Sequence, residues 1–180
     1  PYGYAYSSDL VEQVSSMNQG EYLDEELQNA IPTDFCIGVA GYPEKHFEAP
    51  NMNFDLKWLK KKVELGAEYI VTQMFFDNKV YFKFVDDCRA IGIDVPIIPG
   101  IKPISVQRHL TILPNIFKID LPDELEQEVT KCTTNEQVKE LGIEWGIQQC
   151  RELIEYGAPV IHFYSMGKSE AIHRIAKEFF

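Results

Sequence analysis

Short apolar runs alternate with amphipathic helical segments along this chain, and this alternation constrains the fold more than any other feature. Four runs rich in β-branched and aromatic residues are each followed by a segment with apolar residues at helical spacing. The runs are FCIGVAGY (35–42), EYIVTQMFF (68–76), VPIIPGI (95–101) and PVIHFYS (159–165). Because strands joined by helical crossovers run parallel, the pattern predicts four βα units and an α/β fold. The run at 68–76 is continuous enough to predict a strand buried on both faces.

Candidate capping residues predict where several helices begin. Asp55 is the predicted N-cap of the helix after the first strand, and Ser105 is that of the helix after the third strand. A further helical piece is predicted near 123–130, and the longest helix is predicted over 135–156.

A helix and an irregular excursion precede the first predicted strand. Ser8 or Asp9 is the predicted N-cap of this helix, which is predicted to end near Met17. Its apolar stripe is predicted to consist of Leu10, Val11 and Val14. The acidic, turn-rich segment 15–33 is predicted to be a surface excursion that carries one short helix.

Two architectures combine parallel strands with helical crossovers: an open doubly wound sheet and a (β/α)8 TIM barrel. No GxGxxG follows a predicted strand and no GxxxxGK[ST] occurs, so the common nucleotide-binding fingerprints of open sheets are missing. A complete barrel needs about 250 residues. The 180 residues are therefore expected to form about the last four βα units of a barrel, within one domain that spans 1–180.

Charge and composition argue against several classes of partner. The formal net charge of −11 disfavours nucleic acid and anionic membranes, because both attract basic surfaces. No run of 18 apolar residues predicts a membrane span. The four cysteines and four histidines lack metal-ligand spacing, and free thiols are typical of a reducing compartment, so a cytoplasmic protein without a bound metal is predicted. The first residues resemble no signal peptide and include no initiator methionine, so a truncated or processed chain is expected.

Polar side chains cluster where each predicted strand ends, and ligands of α/β folds bind at this edge. These residues are Tyr42, Glu44 and His46 after the first strand, Thr72, Gln73 and Asp77 after the second, Gly100 and Lys102 after the third, and His162, Tyr164, Ser165 and Lys168 after the fourth. No GxSxG or HExxH motif occurs. Aromatic, amide and lysine side chains suit a planar heterocycle with phosphate or carboxylate tails better than they suit hydrolysis.

Several of these residues have a purely structural alternative. His46 is either a ligand contact or a capping or surface residue, and Gln73 is either a ligand contact or a core amide with satisfied hydrogen bonds. Tyr164 is likewise either a ligand contact or a core residue with satisfied hydrogen bonds. His162 is expected to be a core histidine. The lysines within 57–62 form either a solvated helix face or a group within reach of a phosphate.

Four sequence blocks resemble the methylenetetrahydrofolate reductases. They are VAGYPEKHFEA (39–49), DLKWLKKKVELGAEYIVTQMFFD (55–77), PIIPGIKPIS (96–105) and IHFYSM (161–166), and the resemblance runs from about Tyr6 to Phe180 with order and spacing kept. It implies a (β/α)8 barrel that holds FAD, a flavoprotein oxidoreductase of one-carbon metabolism and methionine biosynthesis. In that family the flavin passes hydride from NADH or NADPH to 5,10-methylenetetrahydrofolate, giving 5-methyltetrahydrofolate. Folate and NAD(P)H are the implied partners, and the full-length protein is expected to be a homo-oligomer.

The resemblance also assigns roles to individual residues. The implied cofactor-binding residues are Ser7, Tyr42, His46, Ala49, Asp55, Trp58, Lys61 and Lys62. The implied substrate-binding residues are Gln73, His109, Tyr164 and Lys168.

The chain departs from the family pattern in two respects. The family's catalytic glutamate and its Arg-Gly-Asp flavin motif lie outside these residues, so no catalytic residue is assigned and this fragment alone is expected to be inactive. SMGK (165–168) stands where relatives often have TLNR, so Lys168 keeps a charge without a bidentate guanidinium. Two alternatives stay open: a non-catalytic flavin- or folate-binding fragment or regulatory remnant of the barrel, and an unrelated barrel lyase or aldolase with Lys102 as its Schiff-base lysine.

Overall fold

Four parallel strands lie side by side in the order in which they occur along the chain. The computed structural model describes residues 3–24 and 26–180. The strands are β1 (Gly38–Gly41), β2 (Tyr69–Met74), β3 (Ile97–Ile101) and β4 (His162–Phe163). Each connection between neighbouring strands contains at least one helix, so the predicted α/β fold is confirmed.

Seven helices accompany the strands in the described residues. They are α1 (Ser7–Asn18), α2 (Met52–Glu64), α3 (Asn78–Ala90), α4 (His109–Phe117), α5 (Asp123–Lys131), α6 (Asn135–Tyr156) and α7 (Glu170–Ala176). The predicted bounds of α6 are confirmed, and those of α5 differ by one residue. No helix of the described chain is long and apolar enough to cross a lipid bilayer.

Three of the predicted N-caps are wrong. Helix α1 begins at Ser7 with Tyr6 as its N-cap, so Ser8 and Asp9 lie inside its first turn. The Asn51 side chain caps α2 by accepting the Phe54 N–H at 2.9 Å, and Asp55 lies inside the first turn. Ser105 does not cap α4, because its own N–H donates to Nδ1 of His109 at 3.2 Å and α4 begins only at His109. In α2 the nearby residue Asn51 therefore takes the capping role that was predicted for Asp55. At α4 the helix starts too far along the chain for Ser105 to cap it.

One face of the sheet is covered and the other is open. Ile70, Thr72 and Met74 of β2 are buried, whereas the alternate residues Tyr69, Val71 and Gln73 are only half-buried. The prediction that β2 is buried on both faces is therefore wrong. We call the surface formed by the alternate side chains of β1, β2 and β3, including Val71, Gln73 and Ile98, the open face.

Three apolar clusters are found in the described residues, and two of them position the elements around the strand ends. The first joins Val11 of α1, Leu56 of α2 and Phe84 of α3 to Ile70 and Ile97 of the sheet. The second lies beyond the strand ends and joins Met74, Phe76 and Ile104 to Leu125 of α5 and Val138 of α6. Because this second cluster packs around the residues that follow β2 and β3, it fixes the edge where the polar side chains were predicted to gather.

A glycine lets α6 approach the chain just after β3. A Cβ added at Gly142 would lie 1.9 Å from the carbonyl oxygen of Ile104, which is shorter than any real contact. The absence of a side chain at this position therefore sets the distance between α6 and the segment 102–104, which carries Lys102.

The excursion before β1 is closed at its base by one side chain. The Asn18 carboxamide accepts the Phe35 N–H at 2.8 Å and donates to the Phe35 carbonyl at 2.9 Å, as a neighbouring strand would. The predicted short helix is not found in the described residues of the excursion. Leu10 was also misplaced, because its side chain is exposed on α1 while Val11 is buried.

Candidate functional site

The loop from β1 to α2 is held in shape by its own polar groups. Asp55 accepts the backbone N–H of His46 at 2.7 Å, which ties the middle of the loop to the first turn of α2. Lys45 has a left-handed backbone (φ 77°), and its Nζ donates to the carbonyls of His46 at 2.9 Å and Ala49 at 2.6 Å. Ala49 is buried, so it supports the loop from beneath. The loop therefore presents its side chains from a fixed backbone.

Tyr42 and His46 form an aromatic pair on this loop. Their rings meet edge to face with centroids 4.6 Å apart. Nδ1 of His46 accepts the Glu48 N–H at 3.3 Å, so the neutral ring carries its proton on Nε2. His46 is half-buried and joins Tyr42 at the strand end, which places it where a ligand contact was predicted.

Tyr42, Asp55 and Lys62 line one small pocket at the end of β1, and Leu56 and Phe84 are among its apolar lining residues. Burial lowers the pKa of Lys62, and the nearby Asp55 carboxylate acts against that shift. Burial and the same carboxylate raise the pKa of Tyr42, so its phenol stays protonated and can donate. A hydroxyl, an ammonium and a carboxylate side by side can hold the hydroxyls and phosphates of a nucleotide.

Three of the predicted cofactor residues are exposed and do not line this pocket. Ser7 begins α1 and is exposed, and the ring of its neighbour Tyr6 stacks on Trp58 of α2 at 6.4 Å. Trp58 and Lys61 are also exposed, and neither lines the pocket that contains Lys62. Tyr6 therefore links the start of α1 to Trp58. Neither Ser7 nor Trp58 lines the pocket that contains Asp55 and Lys62.

Gln73 lies on the open face and lines a second pocket with Tyr42 and Glu44. Its Oε1 accepts the Met74 N–H at 2.9 Å, so its amide nitrogen is left to donate to a ligand. Phe117 and Ile119, which flank the end of α4, form the opposite wall. The sequence analysis assigned no site residue to the segment after α4, although its apolar residues between polar ones could have indicated a buried wall.

Tyr164 covers the end of β3 from the open face. Its hydroxyl donates to the Thr72 carbonyl at 2.8 Å, and its ring lies where a Cβ on Gly100 would approach to 2.6 Å. Thr72 in turn accepts the Gly100 N–H at 2.9 Å. His162 is exposed and meets the edge of the Tyr164 ring at 4.7 Å, so the prediction of a core histidine is wrong. The strand β4 is only two residues long, which leaves His162 uncovered.

Glu44 ties the β1–α2 loop to the segment after α4. Its Oε2 accepts the Asp120 N–H at 2.9 Å. Burial is the main cause that raises the pKa of Glu44 to about 7; the Asp120 N–H opposes the shift, and the charges of Asp120 and Asp77 add to it. Glu44 was predicted to lie at a strand end. Its partner Asp120 is 76 residues away along the chain and could not be identified from sequence patterns.

Lys102, His109 and Lys168 come together at the ends of β3 and β4. Lys102 is 7% exposed, and burial together with the charge of Lys168 lowers its pKa. Burial, Lys102 and Lys168 lower the pKa of His109 to about 4. Both predicted substrate residues of this group, His109 and Lys168, are therefore electrostatic neighbours of Lys102. Across residues 3–24 and 26–180, no three His, Cys, Asp or Glu side chains are grouped so as to hold a metal ion.

Known proteins resemble this chain over nearly its whole length. A family model described as methylenetetrahydrofolate reductase matches residues 1–179. A probable methylenetetrahydrofolate reductase (NADPH) of Caenorhabditis elegans is 36% identical over 167 residues, which cover 92% of this chain and 25% of the relative. Methylenetetrahydrofolate reductase (NADH) 1 of Arabidopsis thaliana is 37% identical over 175 residues, 92% of this chain and 27% of the relative. The 5,10-methylenetetrahydrofolate reductase of Escherichia coli is 35% identical over 143 residues, 79% of this chain and 48% of the relative.

A solved structure shares the fold. It is an uncharacterized protein from Clostridium thermocellum that binds two copies of 5-methyl-5,6,7,8-tetrahydrofolic acid, with a TM-score of 0.54 and 22% identity over 79% of this chain and 52% of that chain. The chain spans about a quarter of the length of the eukaryotic relatives and about half of the bacterial one. Because the family model covers almost every residue, the chain belongs to the methylenetetrahydrofolate reductase family.

Proposed function

We propose that this chain is part of a flavin-dependent methylenetetrahydrofolate reductase, which uses NADH or NADPH to reduce 5,10-methylenetetrahydrofolate to 5-methyltetrahydrofolate. The observation that carries the proposal is the pair of pockets at the strand ends that share Tyr42. One pocket is lined by Asp55 and Lys62, whose carboxylate and ammonium suit a ribose and a phosphate, and the other is lined by Gln73. A cofactor and a substrate held in these two pockets would adjoin at Tyr42.

The residues of the first pocket fit FAD by their chemistry. One oxygen of Asp55 is occupied by the His46 N–H, which leaves the other free to accept from a ribose hydroxyl. Lys62 supplies a half-buried ammonium whose only acceptor among residues 3–24 and 26–180 is the Ala40 carbonyl at 3.3 Å, so a phosphate would be a better partner. FAD, when bound, would supply the two-electron chemistry that couples the two substrates.

Gln73 suits the substrate pocket because its amide is already oriented. The Met74 N–H fixes the carbonyl end, so the NH₂ group points to a ligand acceptor without having to choose between two orientations. A pterin ring and a nicotinamide both offer a carbonyl oxygen as such an acceptor. The same donor can therefore serve folate and the nicotinamide in turn.

We further propose that the sheet is part of a (β/α)8 barrel. Sequential strand order and one uncovered sheet face are expected for an arc of a barrel, since the open face would line the barrel interior. The general acid of the reaction is then assigned to the part of the barrel outside 1–180. The compartment is proposed to be the cytoplasm and the full-length protein a homo-oligomer.

Replacing Gln73 tests the proposed function. In the full-length protein, Gln73→Ala should weaken folate binding about tenfold, the effect of losing one hydrogen bond worth roughly 1–2 kcal/mol. Flavin content, measured from visible absorbance, should not change, because Gln73 does not line the pocket of Asp55 and Lys62. Gln148→Ala on the exposed side of α6 is the matched control and should alter neither quantity. Equal loss of folate and flavin in Gln73→Ala would contradict the assignment.

A further inference from the structure

The chain leaves the sheet directly after Met74, and two side chains of α6 hold it there. Phe75 and Phe76 follow β2 and are 0% and 2% exposed. Nε2 of Gln149 donates to the Phe75 carbonyl at 3.2 Å, and Nε1 of Trp145 donates to the Phe76 carbonyl at 3.1 Å. Because Trp145 and Gln149 are one helical turn apart, they present their donors from one face of α6 to two consecutive carbonyls. The end of β2 is thus attached to a helix that comes much later in the chain.

The pairing between β2 and β3 is irregular at Gln73. Val71 lies opposite Ile98. The next paired residue of β2 is Met74, opposite Gly100, so β2 contributes one residue more than β3 between the two pairs. The β3 residue in between is a proline, which has no N–H to donate. The sheet alone therefore does not fix the backbone at Gln73, and the attachment on the far side of Met74 becomes important.

Gln149 is a buried amide whose side chain bonds to the segment 75–78. It is 4% exposed, and its Nε2 also lies 3.4 Å from Oδ1 of Asn78. Nδ2 of Asn78 donates back to the Gln149 carbonyl at 3.1 Å and to Oε2 of Glu152 at 2.8 Å. An apolar side chain of the same size would fill this space but would take its donor away from the Phe75 carbonyl. Gln149 therefore contributes a directed hydrogen bond in addition to its packing.

Met74 connects this attachment to the substrate pocket. Its side chain is 2% exposed, and its N–H donates to Oε1 of Gln73 at 2.9 Å. A fixed Phe75 carbonyl restricts the peptide units before it, so the Met74 N–H keeps its direction. That N–H in turn sets the direction in which the Gln73 NH₂ group faces the pocket. We propose that Gln149 is a positioning residue for Gln73, with Trp145 in the same role one residue further along the chain.

The inference rests on the proposed function, since it assumes that Gln73 contacts the folate or the nicotinamide. A Gln73 amide that is already oriented loses little freedom when a ligand binds, whereas a mobile one must be ordered at a cost in affinity. Gln149 should therefore affect the ligand that Gln73 contacts. It should not affect a cofactor in the pocket of Asp55 and Lys62, which Gln73 does not line.

A substitution in the full-length protein tests the first part of the proposal. Gln149→Met keeps the length of the side chain and a residue that favours helix, but removes the hydrogen-bond donor. We expect folate binding to weaken about fivefold, because the Gln73 amide must then be ordered on binding. Flavin content, measured from visible absorbance, should not change. Gln148→Met, at the exposed neighbouring position of α6, is the matched control and should alter neither quantity.

A double-mutant cycle separates positioning from a general structural effect. Added to Gln73→Ala, Gln149→Met should cause less than about a further twofold loss, because no amide remains to be positioned. The proposal is overturned if the two losses multiply or if Gln149→Met binds folate as tightly as wild type. If Gln149→Met does not fold, Trp145→Phe takes its place, since it removes the indole N–H and keeps an aromatic ring. It should weaken folate binding only when Gln73 is present.

Hydrogen exchange tests the positioning role without folate. The Met74 amide of the full-length protein should exchange at least about tenfold faster in Gln149→Met than in wild type, because its bond to Gln73 is less well held. If exchange quickens but wild type binds no folate, the positioning role stands and the proposed function fails. Unchanged exchange of the Met74 amide would refute the positioning role, and wild-type folate binding would then still support the proposed function.

Discussion

Glu44 is a carboxyl group whose surroundings favour its protonated form. Its pKa rises from 4.5 to about 7, chiefly because it is buried. A folded-state pKa above the unfolded value means that stability is unaffected below about pH 4.5, falls as the pH rises to 7, and stays reduced above that. The negative charge on Glu44 therefore destabilises the fold at neutral and alkaline pH.

Glu44→Gln should remove this penalty and keep the bond to Asp120, because an amide oxygen still accepts the Asp120 N–H. We expect the free energy of unfolding to rise by on the order of 1–3 kcal/mol at pH 8 and to change little at pH 4.5. Urea unfolding of both proteins at these two pH values measures the effect. Glu48→Gln, at an exposed position of the same loop, is the control. A gain that is equal at both pH values would contradict the explanation.

Sequence patterns located the residues at the site better than they defined their roles. Tyr42, Gln73 and Tyr164 lie at strand ends as predicted, because β1, β2 and β4 are short and end where polar residues begin. Asp55 was predicted to cap a helix and instead anchors His46, a bond that depends on the tight turn at Lys45. A left-handed lysine has no marker in the sequence, so that geometry could not be predicted.

Two glycines of helix α6 face different kinds of neighbour: Gly142 faces backbone and Gly146 faces a side chain. A Cβ on Gly142 would meet the backbone oxygen of Ile104 at 1.9 Å, whereas a Cβ on Gly146 would meet the terminal methyl of Ile175 at 2.6 Å. Backbone cannot move aside without shifting the end of β3, but a side-chain methyl can rotate. The two positions are one helical turn apart and share the same intrinsic preference for alanine, about 1 kcal/mol.

We expect Gly142→Ala to lower the free energy of unfolding by about 2 kcal/mol or more, because α6 must move away from the chain after β3. Gly146→Ala is the matched control and should stay within about 1 kcal/mol of wild type, since the better helix propensity offsets the rearrangement of Ile175. Thermal or urea unfolding measures both. The explanation fails if both variants lose the same stability.

Helices with complete end signals were predicted well. The ends of α6 agree because Thr134 and Gln137 form a capping box and Gly157 takes a left-handed backbone just after the helix. The start of α4 was missed because Ser105 has no such reciprocal partner and donates its N–H to His109. Strand lengths were overestimated at β1 and β4, where apolar residues such as Phe35 and Val160 are exposed.

The sheet ends at β1 on one side and at β4 on the other, so each of these strands has a neighbour on one side only. An edge strand leaves a row of N–H and C=O groups unpaired, and native proteins commonly shorten, cover or pair such edges. If the proposed barrel is correct, both edges are paired in the full-length protein. Sequence alternation predicted the units of the sheet but could not decide whether it closes, because closure depends on strands outside these residues.

Hydrogen exchange tests closure directly. Amides of β1 and β4 should exchange at least tenfold more slowly in the full-length protein than in a fragment of residues 1–180, because new hydrogen bonds protect them. Amides of α5 serve as the internal reference, since the backbone hydrogen bonds of a helix lie within the helix and should differ little between the two. Equal protection of the edge strands in both proteins would argue for an open sheet.

The two hydrogen bonds between the Asn18 side chain and the Phe35 backbone make the excursion before β1 a site that tolerates insertions. The Asn18 carboxamide fixes Phe35 from outside the sheet, so the alignment of β1 does not depend on the length of the loop in between. Doubling such a loop costs only about 0.6 kcal/mol of closure entropy. A peptide tag or fluorescent reporter placed between Gln28 and Asn29 would thus leave the strand-end chemistry undisturbed, and homologues are free to diverge there in length without losing the fold.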